Sequence, residues 1–222
     1  MQYFQLIEEL NRHKDQKFAD FQQKIINPRA QKIIGVRTPL LRTLVKKYKD
    51  EYQTLAAFCD EYYEVTFLKL NVLALLEYEE LLHYLPDAVK SIENWALCDT
   101  FKPKCIAKNR EAFLPYLEKY LTGDEFSARF ALVTLLNFYV EKSYLPFIFN
   151  ALQTCDKTPY YAYMGASWLL SEVLVKHFLD GVEFLQKNTL DIRTHNKAIQ
   201  KARESYRLSQ EQKELLKTLK RK

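Results

Sequence analysis

The stretch whose reading decides the fold is Thr38-Pro39-Leu40-Leu41-Arg42-Thr43-Leu44-Val45-Lys46-Lys47-Tyr48-Lys49. Leu41, Leu44, Val45 and Tyr48 recur at three- and four-residue spacing, the period at which one face of an α-helix meets a core. Arg42, Lys46 and Lys49 fall between them as a basic row. Thr38 followed by Pro39 fits an N-cap with proline at the first helical position.

The pattern continues in both directions. Leu68, Val72, Leu75 and Leu76 form a second stripe, and Phe130, Val133, Thr134 and Asn137 begin a third. Thr158-Pro159 repeats the start signal, and Thr122-Gly123-Asp124 reads as one helix stopping and the next being capped. Only four glycines occur in 222 residues, while Leu, Lys, Glu, Ala and Tyr dominate. That balance favours helix over sheet, and about twelve to fourteen helices are expected. No stretch of Pro, Gly or Ser is long enough for a linker, so residues 1–222 are expected to form a single domain. Helix pairs recur at roughly 35–45 residues, the length class of HEAT and armadillo units, which stack into a curved solenoid with a concave binding side. The expected fold is all-α, a HEAT-like helical repeat; a compact, non-repeating bundle is the alternative.

Several function classes are excluded. Cys59, Cys98, Cys105 and Cys155 show no metal-ligand spacing, and reduced thiols in a cytoplasmic protein are expected. The segment Met1 to Leu10 lacks the cationic and apolar parts of a signal peptide, and no run approaches the roughly 20 apolar residues of a membrane span. His13, His83, His177 and His195 are scattered, and no nucleophile triad, Walker motif or dinucleotide glycine motif is present. No metal, nucleotide or other cofactor and no membrane partner is expected. His195 faces the apolar side of its helix and reads as a packed residue.

Charge is unevenly spread. Residues 51–100 carry ten acidic side chains against Lys69 and Lys90, whereas residues 191–222 carry ten Lys and Arg against four acids. The net charge of +5 and pI near 8.8 permit a polyanionic partner. On a wheel of about 100° per residue, Arg193, Lys197, Lys201, Arg203 and Arg207 share one half, with Ala198, Ile199, Ala202 and Tyr206 on the other. Such a face is either a solvated surface or a set of phosphate contacts, which supply most non-specific DNA affinity. Thr38 and the first-turn amides after it could hold a phosphate as well.

Trp95 and Asp99 are one helical turn apart in Asn94-Trp95-Ala96-Leu97-Cys98-Asp99. An aromatic face beside a carboxylate suits a cationic ligand, through the ring quadrupole and the full negative charge. Arg129 lies in the apolar run Ser127 to Leu132, where a cation needs a partner. Trp168 sits in Gly165-Ala166-Ser167-Trp168-Leu169-Leu170, whose small residues let another backbone approach.

Taken in order, these segments resemble the DNA alkylation repair glycosylases, the AlkD-like family of HEAT-like helical proteins. The resemblance rests on Gly35 to Arg42, Trp95-x-x-x-Asp99, Arg129, Trp168 in its context and the basic run Lys197 to Arg207. It implies that Asp99 is the catalytic carboxylate, that Trp95 and Trp168 flank the deoxyribose of the lesion and that Arg129 lies in the same cleft. It also implies that Arg37, Thr38, Arg42, Lys46, Arg193, Lys197, Lys201, Arg203 and Arg207 hold the backbone of double-stranded DNA on a concave basic face. The implied activity is monofunctional hydrolysis of the N-glycosidic bond of N3- or N7-alkylated purines, by a monomer associated with the nucleoid when bound. One departure stands out: Ile25 to Ile34 offers no aromatic residue to extend the cleft. A catalytically silent relative that binds distorted duplex, and a helical scaffold for an acidic protein, are the rival readings.

Overall fold

A computed structural model describes residues 2–26 and 28–222. Among them are fourteen α-helices and no strand, only an isolated bridge between Lys32 and Tyr62. No helix among the described residues is long and apolar enough to cross a membrane. The chain divides into two compact units, the first ending at Asn109 and the second spanning Arg110–Lys222.

The first unit holds α1 (Tyr3–Asn11), α2 (Gln16–Ile26), α3 (Thr38–Lys47), α4 (Tyr52–Ala56), α5 (Tyr63–Leu73), α6 (Tyr78–Lys90) and α7 (Trp95–Thr100). α5 is its centre. Every residue from Tyr63 to Leu70 is buried, with Val72 and Leu73, and α3, α4, α6 and α7 pack around it. A helix apolar on all sides belongs inside, and each buried leucine-sized side chain contributes about 1.5–3 kcal/mol. α5 stops at Leu73, so Leu75 leaves the stripe that the spacing assigned to it and lies more than half exposed.

The second unit holds α8 (Arg110–Leu121), α9 (Glu125–Phe138), α10 (Leu145–Thr154), α11 (Tyr160–Lys176), α12 (Phe178–Lys187), α13 (Ile192–Arg203) and α14 (Gln210–Thr218). α11 is the hub and packs against α9, α12 and α13. The stop at Thr122-Gly123-Asp124 is as expected: α8 ends at Leu121, and Asp124 Oδ1 accepts from Ser127 N at 2.8 Å. His195 is buried. Its Nε2 lies 2.9 Å from the Leu219 carbonyl, which can only accept, so Nε2 carries the proton. Nδ1 is then free to accept from Asn188 Nδ2 at 3.4 Å. Asn196 and Arg221 exchange a reciprocal pair of amide bonds nearby, closing the chain end onto α13.

Both threonine-proline starts shift by one residue. Arg37, not Thr38, is the N-cap of α3, and its carbonyl accepts the first helical bond from Leu41 N. Pro159, not Thr158, precedes α11, where the amide of Tyr161 is satisfied by Glu125 Oε1 from α9. α13 ends at Arg203, so Arg207 lies beyond it and Tyr206 is fully exposed instead of facing the core.

Candidate nucleic-acid repair site

Asn94 starts the six-residue helix α7. Its side-chain Oδ1 accepts from Leu97 N at 3.0 Å, satisfying one of the amides a helix start leaves open. Leu97 and Cys98 are buried toward the core, which leaves Trp95 and Asp99, one turn apart, half exposed on the other side. The sequence spacing therefore translates into a shared face.

That face lines a cavity of about 260 Å³. Phe18, Phe21 and Ile25 of α2 form one wall, Tyr63 and Phe67 of α5 another, and Thr38 of α3 closes a third side. Asp99 is the one carboxylate among the described lining residues. Five aromatic side chains, Phe18, Phe21, Tyr63, Phe67 and Trp95, share the lining with it. Trp95 Nε1 donates to the Ile25 carbonyl at 3.2 Å, which orients the indole against α2. The Phe18 and Phe21 rings stack with centroids 6.4 Å apart. Phe21 is 57% exposed, an apolar surface left open at the rim.

The aromatics missing between Ile25 and Ile34 are thus supplied earlier, by Phe18 and Phe21. Their three-residue spacing on an amphipathic helix was the available signal, but nothing in the sequence tied that helix to Trp95.

Thr38 reaches the cavity through a loop held by one buried carboxylate, Glu64. Glu64, fully buried on α5, accepts from Ile34 N, Gly35 N and Val36 N at 3.0, 2.7 and 3.2 Å. Burial raises the Glu64 pKa, and the three amides oppose that rise. Gly35 adopts φ +94°, and a Cβ there would sit 2.3 Å from the Asp15 carbonyl oxygen, so only glycine fits. Arg37 is spent on Asp15, at 2.6 and 3.2 Å, with its guanidinium 4.3 Å from the Phe18 ring centre. It props the aromatic wall. Arg42 and Lys46 differ: both are exposed, one turn apart on α3, with no hydrogen bond or ion pair among the described residues.

In the second unit Arg129 is buried on α9 and its Nη1 donates to the Tyr161 carbonyl at 2.9 Å. Gly165 lies against it, and a Cβ there would fall 3.6 Å from Arg129 Cγ, an ordinary van der Waals distance. Tyr161, Met164, Trp168 and Glu172 form the half-buried stripe of α11.

The basic residues of this unit are mostly engaged. Arg193 donates to the Lys157 carbonyl at 2.6 Å and lies 4.1 Å from the Tyr163 ring centre. Arg203 Nε donates to the Lys213 carbonyl at 3.0 Å. Arg207 grips Glu172 with two bonds of 2.9 and 2.6 Å and holds that carboxyl below its ordinary pKa. Lys197 donates to Gln200 at 3.2 Å, and Lys201 is half-buried. The wheel placed these side chains on one face; their partners, 10 to 36 residues away for the three arginines, were invisible to it.

Residues 6–208 match the sequence profile of a family described as DNA alkylation repair enzyme. The chain belongs to that family. No curated protein matches the chain significantly. Membership in the DNA alkylation repair family makes this an all-helical protein of DNA alkylation repair, with DNA as the substrate class. Within that frame the first unit contributes a carboxylate, an indole and an aromatic wall at one cavity, plus two unengaged cations on the helix that begins there.

Proposed function

We propose that the protein is a monofunctional DNA glycosylase that hydrolyses the N-glycosidic bond of N3- and N7-alkylated purines in duplex DNA. The observation that carries this reading is Asp99 standing as the single carboxylate of a cavity whose walls are Trp95, Phe18, Phe21 and Tyr63.

An alkylated purine cation leaves as a neutral base, so the departing base needs no general acid. As the C1′–N bond breaks, its electron pair goes to the base and positive charge develops on the sugar, as in glycoside hydrolysis. Asp99 supplies opposite charge where that cation forms and accepts the proton of the attacking water, whose oxygen bonds to C1′. The ring faces of Trp95 and Phe21 add about 0.5–2 kcal/mol each toward a cation above them. The lining holds no amine among the described residues, consistent with hydrolysis and not Schiff-base chemistry. Thr38, Arg42 and Lys46 bind backbone phosphates, with Lys197 and Lys201 contributing from the second unit. The proposal extends to Arg129 and Trp168, whose part in excision is tested by Arg129→Lys and Trp168→Ala.

Incubation with methylated duplex DNA, followed by chromatography of the released bases, tests the proposal. Free 7-methylguanine or 3-methyladenine is the expected product. Duplex binding without any released base would replace it with a structure-binding role.

A further inference from the structure

Asn94, which caps α7, is 1% exposed, and it is the end of a buried chain of hydrogen bonds that runs through the first unit. Leu97 N donates to Asn94 Oδ1 at 3.0 Å, and Asn94 Nδ2 donates to Gln31 Oε1 at 3.5 Å. Gln31 Nε2 donates to Thr66 Oγ1 at 2.8 Å, and Thr66 Oγ1 donates to Asp60 Oδ1 at 2.7 Å. Lys69 Nζ meets the same oxygen at 2.9 Å and the Phe58 carbonyl at 2.7 Å. Asn94, Gln31, Thr66 and Lys69 are all buried, while the Asp60 carboxylate at the accepting end is about a third exposed.

From Asn94 through Gln31 to Thr66, each side-chain donor points the same way, from α7 toward the Asp60 anion. Aligned dipoles polarise one another in a dry interior, and an anion at the accepting end strengthens each link. The weakest link, between Asn94 and Gln31, is doubled by its neighbour: Glu93 accepts from Ala30 N and Gln31 N, both at 3.0 Å. The segment before the cap is thereby fastened to the segment that carries Gln31.

A helix of six residues has little stability of its own, so its placement depends on how its ends are held. α7 carries Trp95 and Asp99. We infer that Thr66 and Gln31 are positioning residues for these two side chains, tying the cap of α7 to α5 and to the ion pair that Lys69 of α5 forms with Asp60, just before that helix. This inference rests on the glycosylase reading for its consequence in rate, but not for the mechanical link.

The test compares Thr66→Val, which keeps the shape and removes the hydroxyl, with Thr66→Ser, which restores it. Single-turnover release of 7-methylguanine is expected to fall about tenfold for Thr66→Val, the scale of a sub-ångström misplacement of a reacting group. Affinity for undamaged duplex should hold, and Thr66→Ser should recover the rate. Amide hydrogen exchange is read in parallel: Leu97 and Cys98 should exchange faster in Thr66→Val while the α5 amides stay protected. Gln31→Met, which breaks the chain at a second point, should reproduce both effects if Thr66→Val does not fold. Unchanged Leu97 exchange, or faster exchange throughout the unit, would overturn the inference. If the wild type releases no methylpurine, the glycosylase reading fails while the exchange comparison still decides the mechanical link.

Discussion

The indole N–H of Trp95 donates to the main-chain carbonyl of Ile25 at 3.2 Å, joining the first residue of α7 to the last turn of α2. That carbonyl belongs to the set a helix end leaves without an internal donor, so the indole serves as an acceptor's partner and a cavity wall at once. Trp95→Phe keeps a ring and removes the bond. Stability should fall by about 0.5–1.5 kcal/mol in urea denaturation, the net worth of one hydrogen bond. Excision should suffer less than in Trp95→Ala, because the ring face persists.

Gly35→Ala should destabilise by at least about 2 kcal/mol, since it combines a left-handed backbone with a clash against the Asp15 carbonyl. Urea midpoints measure it. A neutral outcome would mean that the loop leading to Thr38 can move away from α2.

Salt dependence separates engaged from unengaged cations. Arg42→Ala and Lys46→Ala should each flatten the log–log slope of duplex affinity against salt by about one unit, as should Lys197→Ala, whose ammonium meets only the neutral Gln200 amide and no carboxylate among the described residues. Arg207→Ala should change the slope less and lower stability by about 1 kcal/mol, because its guanidinium holds Glu172. If Arg207→Ala flattens the slope as much as Arg42→Ala does, the Glu172 pair opens on DNA.

Helix content and the major stripe of α3 were legible in the sequence because period and position agree there. α5 and α9 were harder, since a helix buried on all sides has no polar face to mark its period. The starts of α3 and α11 were misplaced by one residue for a related reason. The Glu125 carboxylate that satisfies the Tyr161 amide of α11 comes from α9, and the Glu64 carboxylate that holds the loop amides just before the α3 cap comes from α5. At the site, Trp95 and Asp99 were readable from local spacing, whereas Phe18 and Phe21 join them through tertiary packing alone. The acidic surplus of residues 51–100 likewise hid its purpose: Asp60, Glu64 and Glu93 are internal acceptors for a buried ammonium, a hydroxyl and five main-chain amides.

Stability should depend on pH through His195. Burial lowers its pKa below the ordinary 6.5, helped by the nearby Arg221 cation and opposed by the bond to the Leu219 carbonyl. The unfolded chain therefore binds this proton more readily than the folded one. The stabilisation is complete above pH 6.5 and declines as pH falls from there through the lower folded value. Urea midpoints at about pH 7.5 and about pH 5.5 should differ more for the wild type than for His195→Gln, which cannot titrate. Equal differences would show that His195 does not carry this limb.

The central claim is that the Asp99 charge drives bond cleavage, and Asp99→Asn tests it most directly because the amide keeps the shape and removes the charge. In single-turnover release of 7-methylguanine from methylated duplex, the variant should be slower by about 10²-fold or more, with duplex affinity unchanged. Release at the wild-type rate by Asp99→Asn would contradict the account.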